Sequence, residues 1–219
     1  MLRNKMIRAA IPKGSPISFV DATQGTGGGG STGTITVSTD DFVLLFSQGK
    51  IAEDPSIYSY GGTSSLGLLT SIIGQGATTG ASGNDYLNIA SSAPVSSGGT
   101  LNMTESGGRE AGYGILAVDG GANTSVDAAT SGSISVSSVT TDDVIVIYET
   151  TQGPAPGVVP STPSGYTSAF SQSFTVGKGG GAEGWGCRVS YKTGASGTVA
   201  HTVTTAGSYN GGAIIRIYN

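Results

Sequence analysis

The chain has one cysteine, one histidine and one tryptophan in 219 residues, and only 11% of its residues are charged. A single cysteine, Cys187, excludes an internal disulfide, so a core or a partner must hold the fold. One His and one Cys also exclude the usual four-ligand zinc site. A Ser-His-Asp hydrolase would depend on His201, and no G-x-S-x-G elbow is present to carry its nucleophile. No apolar run approaches the roughly 18 residues that cross a bilayer as a helix, so membrane insertion is not expected. The basic start "MLRNKMIRAAIPKG" lacks the continuous apolar stretch of a secretory leader. Helical periodicity is scarce, with one weak candidate from Leu2 to Ile11.

Glycine is abundant, at 38 residues, and serine and threonine are spread throughout. The apolar residues come in short dense runs of Val, Ile, Leu, Phe and Tyr, bounded by Gly/Ser/Thr/Asn clusters. That pattern predicts an all-β protein of many short strands joined by turns.

An internal repeat organises these runs. "STDDFVLLF" (38–46) and "TTDDVIVIY" (140–148) stand 102 residues apart. "FVDAT" (19–23) resembles "SVDAAT" (125–130), "TITV" (34–37) resembles "SISV" (133–136), and "GYGILAVDG" (112–120) resembles "GGAIIRIYN" (211–219). "LNIAS" (87–91) lies against "CRVSY" (187–191), and "GTLNMT" (99–104) against "GTVAHT" (197–202). A repeat of about 100 residues suits a β-sandwich. The expected organisation is an arm at 1–16, one sandwich at 17–120 and a second at 121–219. Both would be antiparallel, Ig-like or jelly-roll-like sandwiches. Seven strands are expected in each half, near 17–23, 33–38, 41–48, 65–73, 85–91, 99–105 and 111–119, then near 124–129, 132–138, 142–150, 167–176, 185–192, 197–204 and 211–218. "TITV" and "SISV" alternate, which predicts one buried face. "DFVLLF", "DVIVIY" and "AIIRIY" do not, which predicts cover on both faces. The second cover is expected to be the sister repeat or a neighbouring subunit.

This repeated run of alternating strand, small-residue turn ending in Asp, and strong apolar strand resembles tandem Gly/Ser/Thr-rich β-sandwich proteins encoded among the virion genes of tailed bacteriophages. "SISVSSVTTDDVIVIY" (133–148) shows it best, followed by the "PSTPSGYT" loop (160–167) and the closing "GAIIRIYN" strand. The family's usual turn has Gly-Asp where this chain has Asp-Asp. The resemblance implies a non-enzymatic virion component without a cofactor, assembled in the host cytoplasm. It would be a capsid decoration or cement protein, or a tail-associated protein, oligomeric on the particle.

Charge is uneven. Arg3, Lys5, Arg8 and Lys13 precede the first acid, Asp21, whereas residues 14–219 carry six bases against fourteen acids, a net of −8. The basic arm is therefore expected to dock on an acidic surface of another virion subunit. Four charges give only modest, salt-sensitive nucleic-acid binding, so no specific nucleic acid is expected.

Each remaining motif has a structural reading. Adjacent aspartates on a strand point to opposite faces, so Asp40-Asp41 and Asp142-Asp143 are expected to cap turns, each bonding the amide two residues on, rather than hold a metal. His201 answers Met103 in the repeat and is expected to pack. Cys187 answers Leu87 and is expected to be a small buried hydrophobe. "GTGGGG" (25–30) matches G-x-G-x-x-G, but a strand follows where phosphate binding needs a helix. Tyr58, Tyr60, Tyr166, Trp185 and Tyr209 lie in or beside expected loops, where they would serve a protein interface, several of them instead covering the ends of the core. The alternative is a host-receptor or carbohydrate-binding adhesin that stacks these aromatics on a host-surface glycan. A polysaccharide depolymerase would need converging carboxylates, and Glu105, Glu110, Glu149 and Glu183 show no common placement.

Overall fold

The computed structural model describes residues 16–26, 32–49, 58–66, 69–73, 86–92, 94–105, 111–154, 157–178, 181–207 and 209–219. Among them every regular element is a strand, and all fifteen strands pair antiparallel. The weak helix candidate at Leu2–Ile11 lies outside the described residues.

The strands are β1 (Ser18–Thr26), β2 (Ile35–Val37), β3 (Phe42–Gly49), β4 (Tyr58–Gly62), β5 (Leu69–Ile73), β6 (Tyr86–Ser92), β7 (Gly99–Glu105) and β8 (Ala111–Asp119). After Gly120 come β9 (Asn123–Ala129), β10 (Ser133–Val139), β11 (Val144–Pro154), β12 (Thr167–Lys178), β13 (Gly181–Thr193), β14 (Gly197–Thr202) and β15 (Tyr209–Tyr218). They form four sheets, ordered β1-β8-β3-β6-β5, β2-β7-β4, β12-β13-β11-β15-β9 and β10-β14. No sheet mixes strands from the two sides of Gly120. The two five-stranded sheets share one topology, since β9, β15, β11, β13 and β12 follow one another as β1, β8, β3, β6 and β5 do. Pairing registers agree as well: Phe42 faces Val118 where Val144 faces Ile217, and Leu44 faces Ser91 where Val146 faces Tyr191.

Three apolar cores separate four layers. Ile35, Val37, Leu101 and Met103 of the three-stranded sheet meet Val43, Leu45, Ile115 and Ala117 of the first five-stranded sheet. Ile134, Val136 and Val139 of the two-stranded sheet meet Ile145, Ile147 and Ile214 of the second. Between the two five-stranded sheets lies the third and largest core, from Phe42, Leu44, Phe46, Leu116 and Val118 on one side and Val144, Val146, Tyr148, Ile215 and Ile217 on the other. The unbroken apolar runs of β3 and β11 follow from this. Alternate side chains feed different cores, and each strand is covered on both faces, as its lack of alternation requires. The second cover is the opposite half of the same chain.

The central interface has a two-fold character. β1 packs on β12 and β5 on β9, a pair of contacts that exchange when the two halves are exchanged. Phe46 and Tyr148, which occupy the same place in the two Asp-Asp runs, meet edge to face at 5.1 Å. Contact between equivalent residues marks the axis of an isologous interface. Gly112 and Gly114 of β8 make room there: a Cβ on Gly112 would fall 2.6 Å from the Phe174 ring, and one on Gly114 would enter the Phe170 ring. Phe19 stacks on Tyr191 at 4.3 Å, and the Ile17 N–H donates to the Asp142 carbonyl at 2.8 Å, fastening the start of β1 to the other half.

Two details depart from the sequence reading. β4 was not expected, because Gly61-Gly62 reads as a turn; both glycines in fact pair with β7, opposite Asn102 and Leu101. The look-alike strings "FVDAT" and "SVDAAT" are also offset by two residues in register. Asp21 faces Ala117, whose counterpart Arg216 faces Ser125, not Asp127. The irregularity in β1 between Phe19 and Asp21 shifts its register.

Candidate functional site

The two Asp-Asp turns are built alike. The second aspartate of each is buried and accepts from the backbone N–H three residues earlier: Ser38 to Asp41 Oδ2 and Thr140 to Asp143 Oδ2, both 2.8 Å. The Asp41 and Asp143 N–H groups donate back to the Ser38 and Thr140 carbonyls, closing the turn. The bond therefore runs backward by three residues, not forward by two as expected. The reason is that these aspartates end the turn, and their side chains fold back over it. Asp40 carries φ of 73°.

The charge environments of the two turns differ. Arg216 donates to Asp143 Oδ2 at 2.6 Å and lies over the Tyr218 ring at 4.3 Å. By register the place of Arg216 is taken in the first half by Ala117. Among the described residues Asp41 consequently has no such cation. Burial pushes its carboxyl above the usual range, Asp119 and Asp40 add to the rise, and the Ser38 amide offsets part of it.

The second half holds another buried acid. Glu149, 2% exposed on β11, places Oε1 2.9 Å from His201 Nε2 and accepts the Thr204 N–H at 2.8 Å. Burial alone would raise this carboxyl, but the His201 and Thr204 contacts outweigh it and hold it below the ordinary value. His201 thus sets its ring against Glu149 as well as packing, and this contact, with the Thr204 bond, pins β14 and the chain after it to β11. Sequence reading missed it because β14 and β11 lie about 50 residues apart. The only signal was that the sole His and one unexplained Glu fall in the same half.

Arg188 secures the segment between β11 and β12, donating to the Pro160 carbonyl at 2.5 Å and to the Thr162 and Ser168 hydroxyls at 2.8 Å. Thr151 donates to the Val158 carbonyl beside it. Cys187 is buried in the central core, where burial pushes its thiol up to about 12, so it is not a thiolate at neutral pH.

The described backbone spreads the five aromatics over three strands and one loop. Trp185 is inside β13, 3% exposed, and stacks on Phe174 at 6.3 Å, so it is a packed residue and not an exposed anchor. Tyr166 is half-buried under Lys192, whose Nζ lies 5.6 Å from the ring centroid, and burial raises its hydroxyl pKa. Tyr58 and Tyr60 belong to β4 and Tyr209 to β15, and their side chains lie outside the described residues. Arg3, Lys5, Arg8 and Lys13 also lie outside them. Asp143, just before β11, and Glu149, within it, are six extended residues apart, about 20 Å, so these two buried acids do not converge. Among the described residues no three His, Cys, Asp or Glu side chains form a metal-binding group. No family model, curated protein or solved structure matches this chain.

Proposed function

We propose that this chain is a non-enzymatic structural protein of a tailed-phage particle, a capsid decoration or cement protein or a tail-associated one. It docks on other virion subunits through its basic N-terminal arm and its sheet faces. The observation that carries the reading is a division of roles along the chain. Inside the body, the buried charges are spent on holding it together: Asp41 and Asp143 close turns, Glu149 and His201 tie β11 to β14, and Arg188 holds a loop. The body is acidic overall, while four of the ten basic residues crowd into the first thirteen positions. An acidic body preceded by a basic arm suits adhesion to an acidic neighbour, with contact strengthened by charge and weakened by salt. The resemblance of "SISVSSVTTDDVIVIY" to virion proteins supplies the setting.

The test is co-sedimentation of full-length protein, and of a version beginning at Ser15, with particles lacking the native protein, over a salt series. Binding by the full-length form alone, declining as salt rises, is the expected result. Equal binding by both forms would remove the arm from the account. Adherence to host cells with no binding to particles would overturn it in favour of an adhesin.

A further inference from the structure

We propose that the free edge of β14 is a strand-addition site, and that its occupant is β14 of a second copy of this chain. The inference stands apart from what the arm binds. It rests on a difference between the two outer sheets.

In the first half β7 is flanked on both sides, by β2 and by β4. The N–H groups of Thr63 and Ser64 reach the Thr100 carbonyl, and Gly61 and Ser59 face Asn102 and Thr104. On its other side Met103 accepts from Thr32. The corresponding strand of the second half is β14, "GTVAHT" against "GTLNMT", and among the described residues it pairs with β10 alone. The segment that would supply a third strand is "PAPGVVPSTPSGY", whose prolines cannot donate to a ladder. Its described stretch, 157–166, instead runs over β13, where Arg188 holds Pro160 and Thr162. Prolines thus explain why the edge is open.

The direction of each backbone group follows from the ladder. Val203 N–H donates to Gly132, so the Gly132–Val203 pair is hydrogen-bonded. Antiparallel pairs alternate, so His201 and Val199 turn their polar groups toward β10, whereas Thr198, Ala200 and Thr202 turn theirs outward. The Ser135 N–H, opposite Ala200, points away from β14 to Asp127 Oδ2 at 2.9 Å, as this alternation requires. The outward positions match Thr100, Asn102 and Thr104, which face β4 in the first half.

Natural edges are blunted by kinks, charge or brevity. β1, β5 and β12 have register shifts, β10 carries the irregularity between Val136 and Val139, β9 carries Asp127, β2 has three residues, and β4 closes on Gly61-Gly62. β14 has six residues, none of them Asp, Glu, Lys, Arg or Pro, and the side chains of Thr198, Ala200 and Thr202 are exposed.

A second copy fits because this edge complements itself. A two-fold axis at Ala200 sets Ala200 opposite Ala200 of the other copy and Thr198 opposite Thr202. All three outward residues then exchange hydrogen bonds, with threonine pairs across the seam and no opposed charges. The two outer sheets would join as one four-stranded sheet.

Sedimentation of the full chain in free solution tests this. Wild type should run at twice its 21.6 kDa mass, and Ala200→Pro, which removes only an outward N–H, should halve that mass with an unchanged circular dichroism spectrum. Should Ala200→Pro misfold, Thr202→Lys, which sets charge along the seam, should give the same halving. Ala200→Cys should form a disulfide-linked dimer on oxidation, since directly paired Cα atoms lie about 5.5 Å apart. A wild type that stays at single mass would overturn the proposal, as would a dimer that both variants leave intact. A dimer in which Ala200→Cys does not cross-link would also overturn it, and would assign the edge to another segment.

Discussion

At the scale of single residues, the two Asp-Asp turns are a natural control for each other. Asp143→Asn should cost about 1.5–3 kcal/mol, because it leaves the half-buried Arg216 without its charged partner. Asp41→Asn should be far milder, since the amide oxygen can still accept from Ser38 and no cation is stranded. Their response to pH carries a sign. Burial raises the folded Asp41 carboxyl above its ordinary 3.8, so its contribution is greatest below that value and is lost as pH rises through the folded value. Glu149 behaves oppositely. Its folded value lies below 4.5, so its contribution is present above 4.5 and lost as pH falls through the folded value. Urea melts across pH should show the penalty of Glu149→Gln shrinking toward acid, while Asp41→Asn gains on wild type toward neutrality. Asp40 offers a third check: with φ of 73°, Asp40→Gly should be neutral or stabilising by up to about 1 kcal/mol, and Asp142→Gly should not. The turns were legible in the sequence because both copies keep Asp at the same place. The Arg216 partner was not, since it comes from a strand about 70 residues on and its counterpart is Ala117.

At the scale of elements, the missing alternation in "DFVLLF" and "DVIVIY" told which strands are covered twice. A single strand's pattern reports both of its own faces, so this information is local. β4 was illegible because paired glycines are turn formers by default, and here only the neighbouring strand overrides them. The Gly112 and Gly114 positions make a prediction at this scale. Gly114→Ala should destabilise by about 1–3 kcal/mol through overpacking against Phe170, read as a shift in urea midpoint without a change in slope. Combining it with Phe170→Ala should cost less than the two singles summed, because the ring that clashes is gone.

At the scale of the whole molecule, the central core joins the two five-stranded sheets, and with them the two halves. The row Phe42, Leu44, Phe46, Leu116 and Val118 would face water in a first half expressed alone, so residues 17–120 by themselves should self-associate or precipitate. The pairing of the halves was only half legible: the pattern required a second cover, but a neighbouring subunit satisfies that pattern as well as a sister half. The most direct test of the central core uses Trp185, the one tryptophan, as a reporter on the second half, and Met103→Ala as a lesion in the outer core of the first. Met103→Ala should cost about 2–5 kcal/mol. If the halves unfold as one body, the Trp185 fluorescence transition in urea moves to a lower midpoint, by that loss divided by the slope m. A Trp185 transition that stays where wild type has it would show two independent halves and contradict the account.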